Sequence, residues 1–222
     1  MPSPTPIAVL ASGRGSNLAA LIDARREGRL AADIVLVAGD KAAAPALRRA
    51  EAEGIATLAL DPQGYPDRRS YDLALFERVA ASGAALVVLA GFMRVLDAAA
   101  LAPWAGRMIN LHPSLLPKYR GLHTHRRVLE AGDAEHGASV HFVTPELDGG
   151  PLIAQVRMPV LAGDSAESLA ARLQPLEHRL LVACVAALVT GCIALRADGV
   201  HADDRRLDAP LQLAVDGSLQ SA

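Results

Sequence analysis

The sequence predicts a doubly wound α/β domain whose sheet is mostly parallel, with an antiparallel extension toward the C-terminus. Three observations carry this. Short β-branched and aliphatic runs at residues 7–11, 33–38, 55–60, 86–90 and 108–111 alternate with longer Ala/Leu/Arg/Glu segments. The runs are apolar without interruption, as strands buried on both faces must be, and alternation with helices is the signature of parallel strands joined by crossovers. After about Arg127 the alternation stops, and two strand-like segments, 139–144 and 152–159, flank the turn-rich stretch Pro145-Glu-Leu-Asp-Gly-Gly-Pro151. An antiparallel pair is the simplest account of that change.

The intervening segments 18–27, 43–53, 71–81 and 97–101 read as helices, and a further helix follows Arg127 and ends at Gly132. Asp164-Ser165 offers an N-cap to a long helical stretch over 166–189, with Glu167 in its first turn. Pro175 lies inside that stretch and is expected to kink or split it. The prolines of residues 1–6 predict an extended tail, and residues from about 198 to 222 form a polar segment with Asp203-Asp-Arg-Arg206 exposed. No repeat and no long linker interrupts the chain, so residues 1–222 are expected to form a single domain.

With 222 residues, 51% of them hydrophobic and 21% charged, the chain can bury a sizeable core, which excludes disorder for its bulk. A formal charge of -2 and 3% aromatic content leave neither a basic face nor stacking platforms for nucleic acid. The longest apolar stretch, 180–195, is broken by Thr190 and Gly191 and is shorter than the roughly 20 residues that cross a bilayer. No basic, apolar leader is present at the N-terminus, and the two cysteines, Cys184 and Cys192, lie in the apolar stretch rather than in a disulfide framework. A cytoplasmic protein with no nucleic-acid or membrane partner is expected.

The first strand runs into Ser12-Gly-Arg-Gly-Ser-Asn17 and then a helix. Glycines there let an anion approach the backbone, and N–H groups at a helix start point toward it with the helix dipole behind them. The dinucleotide fingerprint fails, since its third glycine would fall at Leu18, and no Lys follows Gly15 as a nucleoside-triphosphate loop requires. A phosphate monoester fits better than either; a turn that merely packs strand on helix is the plainer alternative.

The strand at 108–111 carries Asn110 and ends in His112-Pro-Ser-Leu-Leu-Pro117. Ligands of doubly wound sheets bind beyond the carboxyl ends of the strands, and residues two apart on an extended chain face the same side. An amide donor and an imidazole therefore face one centre, where both can stabilise an oxyanion and the imidazole can carry a proton. Asp148, in Leu147-Asp-Gly-Gly150, sits in a sharp turn; next to His112 it would raise the imidazole above its ordinary value, and otherwise it is a turn aspartate. Sequence alone does not bring the two together.

Five segments, 11–18 (ASGRGSNL), 88–96 (VLAGFMRVL), 110–117 (NLHPSLLP), 121–125 (GLHTH) and 137–151 (GASVHFVTPELDGGP), together resemble the phosphoribosylglycinamide formyltransferase family of purine biosynthesis. The resemblance spans roughly residues 7–189. It implies transfer of a formyl group from 10-formyltetrahydrofolate to the amine of glycinamide ribonucleotide, with folate as co-substrate and no metal. It implies Asn110, His112 and Asp148 as the catalytic residues and Gly15, Ser16 and Asn17 as the phosphate loop. Met93, Arg94, Val95 and Leu96, with Asn110 and with Thr144, Pro145, Glu146, Leu147 and Asp148, correspond to the folate pocket; Arg68 and Arg94 help hold the folate. Glu177 corresponds to a contact with the amine end of the substrate. The chain departs from the family pattern at Ala38-Gly-Asp-Lys41, where a Ser-Asn pair is more common, and at Arg120, where a Pro is common.

Other readings are weaker. His112, His123, His125 and His141 form no metal-ligand pattern, and Ser16 lacks a nucleophile elbow. Trp104 reads as a packing residue, and Arg25, Arg26 and Arg29 as complements to a helix C-terminus. A formyltetrahydrofolate deformylase or another amine formyltransferase would share the Asn, His and Asp chemistry. A non-catalytic phosphate-binding module would need only the glycine loop. A monomer or a homodimer is compatible with the sequence.

Overall fold

The strands of the first half are apolar on both faces because helices follow each of them. The computed structural model describes residues 3–221 and divides into two compact units, one ending at Asn110 and the other beginning at Leu111. In the first unit β1 (Thr5–Leu10), β2 (Ala32–Gly39), β3 (Thr57–Ala59), β4 (Leu86–Leu89) and β5 (Met108–His112) run parallel in the order β3-β2-β1-β4-β5. Residues Ile7 to Leu10 are 0% exposed, which accounts for their unbroken apolar reading. The helices are α1 (Ser16–Arg26), α2 (Pro45–Ala52), α3 (Arg68–Ala81) and the short α4 (Ala98–Leu101). Asp67 and Asp97 cap α3 and α4 through their carboxylates, accepting from the Ser70 and Ala99 N–H groups. The strand order turns about β1, so the crevice between the ends of β1 and β4 is the switch point at which such sheets bind ligands. Ala11 N–H donates to Ala38 on the β2 side, whereas Ser12 N–H donates to Gly91 on the β4 side.

In the second unit α5 (Thr124–Ala131) leads into β6 (Glu135–Phe142), which pairs antiparallel with β7 (Leu152–Pro159). The long helix α6 (Ala166–Val189) packs on both. Its N-terminus is a reciprocal cap: Ser165 Oγ accepts the Ser168 N–H, and Ser168 Oγ accepts the Ser165 N–H. Beyond it, β8 (Ile193–Arg196), β9 (Gly199–Ala202) and β10 (Arg205–Arg206) form a small antiparallel sheet, and β11 (Leu211–Leu213) runs parallel to β7 with β12 (Leu219–Gln220) outside it. The mostly parallel sheet with later antiparallel pairs is the class the sequence predicts.

Several details differ from the sequence reading. Thr5 and Pro6 already belong to β1, so the expected tail is shorter than residues 1–6, and Met1 and Pro2 lie outside the described residues. The polar segment from 198 onward is built into strands, because only Val200, His201 and Leu211 turn inward and the other positions stay solvated. Pro175 does not split α6: it and Ala171, whose carbonyl it leaves without a donor, are both exposed, so water can take the missing bond. Of the cysteines, Cys184 is buried in the core and Cys192 is exposed.

Candidate active site

In the first unit the glycine loop is a backbone construction. Gly15 adopts φ 72, left-handed, and serves as the N-cap of α1 with no side-chain cap bond. A Cβ at Gly15 would sit 2.8 Å from both Cα and Cβ of Ala46, so the position admits no other residue without movement of α2. Ser16 and Asn17 occupy the first turn of α1, where backbone N–H groups have no intrahelical partners. Asn17 Oδ1 is buried and lacks a hydrogen-bond partner among the described residues.

The segment after β4 carries the other first-unit candidates. Met93 and Val95 are exposed apolar side chains, at 70% and 46%, while Leu96 is buried. The Arg94 guanidinium lies 4.7 Å from the centroid of the Tyr71 ring. It lines a cavity of about 530 Å³ shared with Asp40, Lys41, Asp61 and Gln63. Arg68 opens α3 three residues before Tyr71 and is exposed. Burial pushes the Tyr71 hydroxyl up to about 12, against the pull of Arg94.

At the end of β5, Asn110 is half-buried and His112 is 6% exposed, on the same strand and two residues apart. Within the second unit Asp148 reaches His112: its Oδ2 lies 3.4 Å from His112 Nδ1. Asp148 adopts φ 47, a left-handed conformation that aspartate tolerates, and Gly150 behind it brings the turn so close to β6 that a Cβ there would lie 1.8 Å from the Phe142 carbonyl oxygen. Asp148 Oδ2 also accepts the Gly121 N–H at 2.9 Å, and Oδ1 lies 3.6 Å from His141 Nε2. Burial alone would raise this carboxyl, but the hydrogen bonds from His141 and Gly121 and the neighbouring imidazoles together hold it below its ordinary value. Asp148 is therefore an anion.

His112 differs from the sequence expectation. Burial lowers its pKa, and this outweighs the raising effects of the Tyr119 carbonyl and of Asp148. The resting ring is neutral. Its Nε2 lies 3.0 Å from the Tyr119 carbonyl oxygen, so Nε2–H is the donor and Nδ1, facing Asp148, is the basic nitrogen.

The remaining second-unit candidates lie on the loop leading to Asp148 and on α6. Thr144 to Leu147 form the loop leading to Asp148, and Glu146 pairs with Arg120, the residue that departs from the family pattern. The Glu177 side chain, on α6, makes no hydrogen bond or ion pair among the described residues, and burial pushes its carboxyl up to about 7.

Sequence reasoning missed the support of this corner. Ser139 Oγ donates to the Ser114 carbonyl and accepts the Leu116 N–H, while Gln155 Nε2 donates to the Leu116 carbonyl and to Ser139 Oγ. These buried side chains fix the backbone that follows His112. His141 enters as a partner of Asp148, and His125 Nδ1 lies 2.8 Å from His136 Nε2 rather than near a ligand set. Inward-facing polar residues in otherwise apolar strands, Ser139 and Gln155 among them, were the available signal.

A neutral imidazole backed by a buried carboxylate, with an amide on the same strand, is an arrangement able to stabilise negative charge developing on a carbonyl oxygen. The formyl transferase family model matches residues 5–185. The chain is 46% identical over 201 residues to phosphoribosylglycinamide formyltransferase of Escherichia coli strain K12, covering 90% of this chain and 95% of that one. It is 39% identical to the human trifunctional purine biosynthetic protein adenosine-3 over 87% of this chain, which spans about a fifth (19%) of that longer protein. Among solved structures, phosphoribosylglycinamide formyltransferase of Coxiella burnetii superposes with a TM-score of 0.88 at 42% identity, covering 92% and 96% of the two chains. Glycinamide ribonucleotide transformylase 1 of Symbiobacterium toebii gives 0.87 at 40% identity, covering 91% and 95%. The chain belongs to the formyl transferase family, in its phosphoribosylglycinamide formyltransferase branch.

Proposed function

We propose that the chain transfers the formyl group of 10-formyltetrahydrofolate to the amine of glycinamide ribonucleotide, giving formylglycinamide ribonucleotide and tetrahydrofolate in purine biosynthesis, and that both units together make one formyltransferase domain. The observation that carries the reading is the 3.4 Å approach of Asp148 to a buried His112 beside Asn110. The neutral amine attacks the formyl carbon, and the carbonyl π pair moves onto oxygen. The Asn110 amide and His112 Nε2–H, released from the Tyr119 carbonyl, donate to that oxygen. The ring takes up the proton that the attacking nitrogen loses and holds it in transit, and the Asp148 anion beside Nδ1 stabilises the imidazolium that results. The proton lost by the attacking nitrogen reaches the folate nitrogen, the carbon–nitrogen bond to folate breaks, and the carbonyl reforms.

In the same reading Gly15, Ser16 and Asn17 take the phosphate, and Asn17 Oδ1, buried without a partner, is a group that a ligand hydroxyl would satisfy. Met93, Val95 and Leu96 with the loop 144–148 line the folate, and Arg68 and Arg94 hold its carboxylate end. Glu177, near neutrality in pKa, takes the amine end of the ribonucleotide. In the same reading the reaction runs in the cytoplasm; among the described residues no helix is long and apolar enough to cross a membrane. The test is tetrahydrofolate release that depends strictly on added glycinamide ribonucleotide. Release without it would assign a deformylase instead, and release driven only by a different amine would assign another formyltransferase.

A further inference from the structure

Ser12 opens the glycine loop, is 9% exposed, and is bonded in both directions to the segment after β4. Its N–H donates to the Gly91 carbonyl at 3.1 Å, and its Oγ accepts the Met93 N–H at 3.1 Å. No side-chain role of the loop in anion binding needs this hydroxyl, because the cradle is made of backbone groups. On the other flank the Gly13 carbonyl accepts the Ala46 N–H, and Ala46 blocks the space beside Gly15. The loop is thus held between α2 and the Gly91–Met93 bend, and Ser12 is its bond to that bend at the switch point of the sheet. The far end of the bend is pinned separately: Asp72, 0% exposed on α3, accepts the Asp97 N–H at 2.7 Å, and Arg94 stacks on the adjacent Tyr71.

We propose that Ser12 is a positioning residue that couples the phosphate loop to the Met93–Leu96 wall, so that binding of ribonucleotide and of folate reinforce each other through one hydroxyl. This rests on the assignment of the loop to the ribonucleotide phosphate and of the wall to folate. Ordering Gly13 to Asn17 around a phosphate fixes the Ser12 backbone, which fixes its Oγ and with it the Met93 amide. A folate that packs on Met93 and Val95 then meets a wall already set, and by reciprocity folate tightens the loop.

The experiment measures the dissociation constant of glycinamide ribonucleotide by titration calorimetry, alone and with saturating tetrahydrofolate, on the full chain and on Ser12→Ala and Ser12→Thr. In the unaltered protein tetrahydrofolate tightens ribonucleotide binding by about fivefold or more, the lower end of ordinary coupling. In Ser12→Ala this factor falls to about one while each separate affinity changes less than the coupling does. Ser12→Thr, which keeps the hydroxyl, restores it. A factor unchanged in Ser12→Ala, or absent from the unaltered protein although both ligands bind, overturns the coupling and leaves the proposed function standing; failure of either ligand to bind the unaltered protein overturns that function itself. Hydrogen exchange at the Met93 amide decides the case independently of folding of the variants: ribonucleotide alone slows it in the unaltered protein, and an unchanged rate overturns the proposal.

Discussion

The glycine loop of the first unit and the His112 corner of the second are built by opposite means. The loop is backbone: a left-handed Gly15, the first turn of α1 and the close approach of Ala46. The corner is side chains drawn from distant points of the sequence, with Asp148 lying against His112 and backed by Gly121 and His141. All seven histidines of the chain lie after Asn110, so the titratable chemistry near neutrality is concentrated in one unit. A backbone site tolerates changes of functional group and fails when a Cβ is added; a side-chain site fails when a functional group is removed.

The largest effect expected from this contrast is on His112. His112→Ala removes the donor and the proton acceptor together, and turnover should fall by about 10²–10⁴-fold, the usual contribution of positioned acid–base groups. Ribonucleotide binding, measured by calorimetry, should be retained because the proposed phosphate loop is left unaltered. Asp148→Asn should depress turnover far more than folate affinity. Undiminished turnover in His112→Ala would remove His112 from the catalytic machinery.

Acidification separates the units next. Burial holds His112, His125 and His178 below their ordinary value and His136 down to about 4. Such a ring binds fewer protons folded than unfolded, so the stability it contributes is complete above its unfolded value of roughly 6.5 and is lost as pH falls below it. His136 alone, 1% exposed, accounts for up to about 3 kcal/mol of that loss between pH 6.5 and 4. Glu177 has the opposite slope: raised from 4.5 to about 7, it binds more protons folded, so its effect on stability worsens as pH climbs through that window. Hydrogen exchange at pH 5 and at pH 7 should show protection lost first in β6 and α5 and last in β1 and β4. Uniform loss, or loss first in β1, would contradict the histidine account. Glu177→Gln should raise the melting temperature at pH 8 relative to pH 5.

The same contrast explains what could be read before the fold was known. The glycine loop is local, a strand followed at once by Gly13, Gly15 and a helix, and its neighbours along the chain are its neighbours in space. Asn110 and His112 were legible as a pair for the same reason, since strand geometry alone puts them on one side. Asp148 was legible only as a turn residue until the resemblance gave it a role, because no local rule reports a contact across 36 residues. The ionisation of His112 was misjudged because the sequence displays a carboxylate but not the burial that opposes it. Ser12 and Asp72 were invisible as supports, since a polar residue beside an apolar run looks the same whether it faces water or a buried amide; Ser139 and Gln155 showed only as polar residues at inward positions of apolar strands. The C-terminal strands escaped because edge strands keep polar outer faces.

A smaller effect tests the backbone side. In Gly15→Ala the added Cβ meets Ala46 at 2.8 Å and the residue must hold a left-handed backbone, which costs about 1–2 kcal/mol for a residue with a Cβ. The Michaelis constant for ribonucleotide should rise by about tenfold or more, with a smaller change in turnover at saturation. Ser16→Ala, which leaves the backbone cradle intact, should change it much less. Equal effects of the two substitutions would mean that the Ser16 hydroxyl, and not the backbone, holds the phosphate.

The smallest effect lies where the two modes of construction meet, at Arg120. Its backbone belongs to the stretch whose Tyr119 carbonyl accepts from His112 and whose Gly121 N–H donates to Asp148, while its side chain pairs with Glu146 on the loop leading to Asp148. The Glu146 side chain is 64% exposed, so water and salt screen the pair, and such surface pairs contribute about 0.2–1 kcal/mol. Glu146→Gln should therefore raise the Michaelis constant for folate by no more than about fivefold in dilute buffer, and the difference from the unaltered enzyme should vanish in 1 M salt, where the screening length is about 3 Å. Turnover should hold, because Gly121 and Asp148 keep their bond without the ion pair. A loss of turnover that salt leaves untouched would mean that Glu146 acts on the reacting groups directly, moving it from the folate wall into the chemistry of the His112 corner.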